Sequence, residues 1–434
     1  MPKRLFVVLG VVVLAVIVGI VVAVTGDDDV AVDPDEDVTI EYVLWDAEQQ
    51  PAYQAVADAF MEEHPNIEIE INQLGWGDYW DDLTRRLATG GGPDVWTNHV
   101  AYFREFAQRG QMMDLEDRIQ DSDIIDLDAY MEGLADLFVH EDGGRYGVPK
   151  DWDTVAIFYN RAHLEEAGVS VEEVEQATWN PDDGGSFEDI LSRLTANGRQ
   201  AMAVDYDNFG AWGQTQFSGL AVSNSWTYHN EDATEFYFDD PQFIDTIQWF
   251  ADMTLDTGYM ASFEDTEEVP EMFASEQVSL IFDGSWMLGL HSDNLGDDMG
   301  IAMQPEGPEG RRSMFNGLSD AVNANTEHPE EAWLWAEYLG SVEAQEIVAE
   351  YGVVFPAVES ATEITLDVHA DQGLDTSAFT ELAFDPDATF LFPLTANASE
   401  VNNIMQQTFD EIFLGQVGVE EGLTSANSEI NALF

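Results

Sequence analysis

"PKDWDTVAIFYN", residues 149–160, holds one of only two lysines in a 434-residue chain with 86 acidic residues. The other is Lys3. Pro149 restricts the backbone at the start of the stretch. From Thr154 onward, "TVAIFYN" reads as a strand by its β-branched and aromatic content. Lys150 thus stands beside Asp151, Trp152 and Asp153 just ahead of a strand, and what surrounds the segment decides the fold.

Upstream, "VTIEYVLW" at 38–45 is a strand. A helix follows over 50–63, with Tyr53, Val56, Ala57, Phe60 and Met61 at helical spacing, ending before Pro65. "IEIEI" at 67–71 alternates as a half-buried strand, a helix covers 78–88 and stops at Gly90-Gly91-Gly92, and "PDVW" opens another strand. Alternation continues to "YGVP" at 146–149, the pattern of an α/β layer with parallel strands. A second alternation starts at "TVAIFYN" and runs through "QAMAV" (200–204) and "VSLIF" (278–282). From about 376 the chain reads as mainly helical, with Val401, Ile404, Met405, Thr408, Phe409 and Ile412 on one face. Roughly 400 residues exceed what one core holds, so two lobes are expected. No internal repeat is visible.

Fourteen Lys and Arg stand against those 86 acids, for a formal net charge of −72. With 45% hydrophobic and 12% aromatic residues, the chain is no disordered polyanion. A fold this charged repels itself in dilute buffer, and molar salt, with a screening length of about 3 Å, relieves the repulsion. The composition therefore reads as that of a salt-requiring protein from a halophile, and it excludes a nucleic-acid partner. Lys3-Arg4 precede twenty uncharged residues, Leu5 to Val24, and three aspartates follow at 27–29. That length spans a bilayer, and basic-before, acidic-after charge gives an N-inside orientation. Residues 1–26 read as an uncleaved membrane anchor, with a cleaved secretory signal as the alternative. Residues 27–37 read as an acidic tether. The absence of cysteine excludes disulfides, thiolate metal sites and cysteine nucleophiles.

No catalytic motif emerges. The eight histidines lack zinc-site spacing, and no nucleophile elbow, P-loop or dinucleotide fingerprint opens a helix. "DPDED" (33–37) and "NPDDGG" (180–185) lack calcium-loop spacing and read as solvated surface. The twelve tryptophans are more informative. Trp249, Trp333 and Trp335 lie inside helical runs and read as core. Trp45, Trp76, Trp152, Trp212, Trp226 and Trp286 lie at strand ends or beside Gly, Asp and Asn. There, flat rings can stack on sugar C–H faces while polar neighbours meet the hydroxyls.

Seven phrases carry a resemblance: "YVLW" (42–45), "GPDVW" (92–96), "YGVPKDWDTVAIFYNRAHLEEAGV" (146–169), "TWNPDDGGSFEDIL" (178–191), "VSLIFDGSWML" (278–288), "GPEGRRSMFNGLSDAVNANTEHPEEAWLWAEYLGSVEAQ" (307–345) and "GVVFPA" (352–357). In this order they resemble the maltose-binding-like extracellular solute-binding proteins of sugar ABC transporters, over about residues 38–434. The resemblance implies a two-lobed α/β periplasmic-binding-protein-like fold with a ligand cleft between the lobes. It implies chain crossings near 149–153, 317–323 and 353–358, so lobe one takes 38–150 plus 321–356 and lobe two takes 151–320 plus 357–434. Ligand contacts are implied at Trp45, Glu48, Gln49, Trp76, Tyr79, Asn98, Asp151, Trp152, Asp153, Phe209, Trp212, Trp226, Trp286, Asn316 and Gly317. The implied function is capture of a sugar, a di- or oligosaccharide, for an ABC permease at the outer membrane face. The protein is then a monomer without cofactor or metal, and not an enzyme. Lys150 would offset its acidic neighbours or bridge the lobes, or else be a solvated lysine. The family's bacterial members carry a lipobox cysteine, which this chain lacks. The rival readings are a secreted glycosidase or lyase, and a receptor of the same fold for iron or polyamine.

Overall fold

The computed structural model describes residues 36–131, 133–195, 199–206, 209–266, 268–383, 385 and 387–434. The anchor read at 1–26 and all but the end of the tether lie outside these. Among the described residues no helix is long and apolar enough to cross a membrane. Asp37–Phe434 form one compact unit.

In chain order the strands are β1 (Val38–Leu44), β2 (Ile67–Gln73), β3 (Val95–His99), β4 (Val148–Asp153), β5 (Val155–Asn160), β6 (Gln200–Met202), β7 (Val278–Gly284), β8 (Met299–Ala302), β9 (Ser313–Met314), β10 (Asn316–Val322), β11 (Phe355–Pro356) and β12 (Thr389–Phe390). Two main sheets result. The first has the order β11-β4-β10-β3-β1-β2 and the second β6-β7-β5-β8, while β9 pairs with β12. Each sheet with its covering helices forms one lobe. The parallel reading holds for β1, β2 and β3 and for β6 with β7. Both sheets are nevertheless mixed. Strand β10 is antiparallel to β3 and β4, and β5 is antiparallel to β7 and β8. Strands β10 and β5 are the ones that directly follow a crossing. They enter from the other lobe instead of returning through a helix on the same sheet.

Helical periodicity translated directly. Gln50–Glu63 buries Ala52, Tyr53, Val56, Ala57 and Phe60, and the C-terminal Ala398–Phe413 buries Val401, Met405, Phe409 and Ile412. Trp249, Trp333 and Trp335 are buried, as their helical settings require.

The crossings differ in detail from the implied ones. Strand β4 belongs wholly to the first sheet, and the chain passes over at Thr154, so Asp151–Asp153 end lobe one instead of opening lobe two. The return falls at Phe315, between β9 and β10, a few residues earlier than 317–323. Helix Glu359–Asp371 stays with the first lobe, where Thr362 accepts a hydrogen bond from the Trp152 indole and Thr365 donates to the Val354 carbonyl. The third passage therefore follows this helix and not 353–358. The Thr154 hydroxyl then donates to the carbonyl of Phe379 in helix Ser377–Ala383, the first element past that passage.

Candidate ligand cleft

The centre of the site is an irregularity in β4. Leu318 of β10 stands opposite Asp151 and Ser319 opposite Pro149, so Lys150 is an extra residue, a β-bulge. The ammonium of Lys150, 3% exposed, donates to the Tyr42 hydroxyl (2.7 Å) and the Thr97 hydroxyl (2.9 Å). It lies 3.7 Å from Asp320 and 3.5 Å from the centre of the Tyr53 ring. Tyr42 in turn donates to Asp320 at 2.7 Å. Lys150 is thus neither solvated nor a bridge between lobes. It joins β4 to β1, β3 and β10 inside lobe one.

Beyond the bulge, Asp151 and Asp153 are buried. The Asp153 carboxylate accepts from Asn316 (3.0 Å) and from Gln214 of the second lobe (3.1 Å). Asp151 Oδ2 and Asn316 Oδ1 are buried with no partner in the protein. Burial pushes the Asp151 carboxyl up to about 7 against the opposing pull of Lys150. Burial first, then the charge of Asp151, pushes Asp153 well above the usual carboxylate range. Burial pushes His99 down to about 3, so its imidazole is neutral.

An aromatic wall stands at the carboxyl ends of β1 and β3. Trp45 packs edge-on to Trp76 at 5.1 Å, and Trp76 lies 5.8 Å from His99. Trp76 is 38% exposed, which leaves ring surface for a ligand. From the second lobe, Phe392 meets His99 at 5.1 Å and Trp212 at 6.2 Å, and Trp212 lies against the Tyr102 hydroxyl. At the end of β7 the half-buried Trp286 folds over Gly284, where a Cβ would come within 1.8 Å of the indole. Gly284 pairs with Val155, two residues after Asp153, so the ring sits beside the first crossing.

Several implied contacts are placed elsewhere. Trp152 has both faces covered, by Phe355 at 4.7 Å and Phe315 at 5.8 Å, and offers no stacking surface. Tyr79 is fully buried and spends its hydroxyl on the Thr97 carbonyl. Phe209 sits among Phe217, Phe409 and Phe413 in the second core. Trp226 is stacked on Phe243 at 4.2 Å, with its indole N–H given to the Tyr237 carbonyl. Gly317 packs under Leu137, where a Cβ would come within 2.6 Å. Glu48 is exposed, and Gln49 is buried and donates to Asp46. Asn98 is fully buried near the end of β3, its amide without a partner in the protein, opposite the equally unpartnered Ser319 hydroxyl.

Reading the sequence missed His99, Gln214 and Phe392, which lack any motif, and Glu105. The Glu105 carboxylate, on helix Val100–Gln108 of lobe one, is 1% exposed. It accepts from both the backbone N–H and the hydroxyl of Ser399 at 2.9 Å each, in the first turn of Ala398–Phe413 in lobe two. Among the described residues no cluster of three or more His, Asp or Glu could hold a metal ion.

A model of the bacterial extracellular solute-binding protein family matches residues 46–346. The chain is 23% identical over 323 residues to an arabinooligosaccharide-binding protein of Halalkalibacterium halodurans, covering 70% of this chain and 68% of that one. Its fold is similar to an ABC substrate-binding protein of Listeria monocytogenes solved with cycloalternan (TM-score 0.81, 19% identity, 92% of this chain and 99% of the other). It is also similar to maltose-bound MalE3 of T. maritima (TM-score 0.77, 18% identity, 92% and 100%). With two α/β lobes, crossing segments between them and a family match over most of its length, the chain belongs to the bacterial extracellular solute-binding proteins.

Proposed function

We propose that the protein captures a di- or oligosaccharide by closing its lobes and delivers it, as a monomer, to an ABC importer permease. The observation that carries this reading is the pairing of buried, unpartnered polar atoms between the lobes with aromatic faces. Asp151 Oδ2 and Asn316 Oδ1 are acceptors without donors, and Trp45, Trp76 and Trp286, at the ends of strands in the two lobes, are only partly buried. Burying such acceptors costs about 1–3 kcal/mol each unless a donor arrives, and sugar hydroxyls are donors. The names of the arabinooligosaccharide-binding relative and the cycloalternan-bound structure point the same way. We further propose that residues 1–26 tether the receptor to the outer membrane face and that it works in molar salt. A thermal-shift screen of mono-, di- and oligosaccharides in 2–3 M potassium chloride tests the reading. A ligand at about 100 times its Kd adds roughly 2.7 kcal/mol. A screen in which no saccharide raises the melting temperature, while a polyamine or ferric iron does, overturns it. Cleavage of the oligosaccharides during incubation would identify a hydrolase or lyase.

A further inference from the structure

The buried cation beneath the cleft has a role that packing alone does not require. An ion pair this deep is no stability device in general, because desolvating both charges offsets their attraction. The bulge that carries Lys150 interrupts the alternation of β4, and the charge of the lysine acts on Asp151 next to it. Tyr53, on helix Gln50–Glu63, feels both, lying 3.5 Å below the ammonium and within the field of Asp151. Of the acids nearby, Asp320 is engaged by Tyr42, and Asp153 by Asn316 and Gln214. Asp151 alone keeps an oxygen free.

We propose that Lys150 is a positioning residue of the ligand site: held on the β4 bulge by Tyr42 and Thr97, it sets Asp151 at the cleft as a charged acceptor for a ligand hydroxyl. This rests on the saccharide reading above. The groups facing Asp151 are Lys150 and Asp153 on its own strand, Asp320 on β10, Asp46 after β1 and Tyr53 on the covering helix. His99 at the end of β3 is neutral. Lys150 is the one cation in this set. Without it, burial and three neighbouring carboxylates favour protonated Asp151, which offers a hydroxyl a poorer acceptor.

The experiment reads Asp151 through stability, and needs no ligand. Melting temperatures of the full chain and of Asp151→Asn are measured from pH 5 to 9 in 2 M potassium chloride, then repeated with Lys150→Met in both. The difference between each pair changes with pH where Asp151 titrates. The expected result is a midpoint at least one pH unit higher without Lys150. If Lys150→Met does not fold, the pair is made with Asp320→Asn added, where the shift is smaller and of the same sign. Equal midpoints with and without Lys150 overturn the proposal. Titration with maltotriose supplies the second arm, in which binding to Lys150→Met weakens by up to about tenfold per unit of that shift below the new midpoint. A moved midpoint with no saccharide bound by the unaltered chain leaves the lysine's effect on Asp151 standing and removes the ligand reading.

Discussion

At the scale of single residues, the tryptophans show how a ring's two faces decide its role. Trp286 stands half-buried over Gly284, and Trp226 is stacked on Phe243. If a sugar covers about 100 Å² of the Trp286 ring, burial contributes on the order of 2.5 kcal/mol. Trp286→Ala is therefore expected to weaken saccharide binding roughly 50- to 100-fold with little loss of stability. Trp226→Ala is expected to cost about 3–5 kcal/mol of stability instead. Calorimetric titration and a melt of both variants check the pair, and normal binding by Trp286→Ala would move that ring into the core. Asp151 yields a signed pH dependence. Its carboxyl, raised to about 7, binds a proton more tightly folded than unfolded, so its contribution to stability is present at low pH and lost as pH rises through 7. Asp151→Asn should then be the more stable protein above pH 7, by about 2–4 kcal/mol, while binding saccharide more weakly. A stability difference independent of pH would contradict this.

At the scale of elements, helices and their faces were legible because the 3.6-residue period is written locally. Ala398–Phe413 buries Val401, Met405, Phe409 and Ile412 of the face that its periodicity marked, with Ile404 and Thr408 half-buried at its edge. What that helix does at its N-terminus was not legible. Ser399 becomes meaningful only because Glu105, 294 positions earlier, reaches it from the other lobe. These bonds to a charged acceptor join the two lobes outside the crossing segments. At about 1.5–3 kcal/mol for a hydrogen bond to a charged group, Glu105→Ala should raise the saccharide dissociation rate roughly 10- to 100-fold. Ser399→Ala, which keeps the backbone donor, should do less. Stopped-flow tryptophan fluorescence separates this from general destabilisation, since an unchanged dissociation rate would reduce Glu105 to a packing role.

At the scale of the whole molecule, the charge of −72 predicts that cooperative structure is lost below a few tenths molar salt, because too few cations exist to pair the acids. Equal melting temperatures in 0.1 M and 3 M potassium chloride would refute it. The sequence by itself determined the charge, the α/β alternation, the helical core tryptophans and, from its length, the expectation of two lobes, whereas the first crossing was implied near 149–153 by the family resemblance and lies at Thr154. Charge, alternation and helical burial are properties of composition or of short-range period, and the seven family phrases ordered them. Only the tertiary structure decided which face each strand-end aromatic shows. Trp152 and Trp286 both read in the sequence as strand-end rings, yet Phe315 and Phe355 enclose the first and a glycine leaves room for the second. It alone decided the fate of Lys150 as well, because a bulge is a mismatch between two strands distant in sequence, here Lys150 of β4 left unmatched between Leu318 and Ser319 of β10. No pattern within either strand encodes the register between them, and it is that register which seats the cation under the cleft.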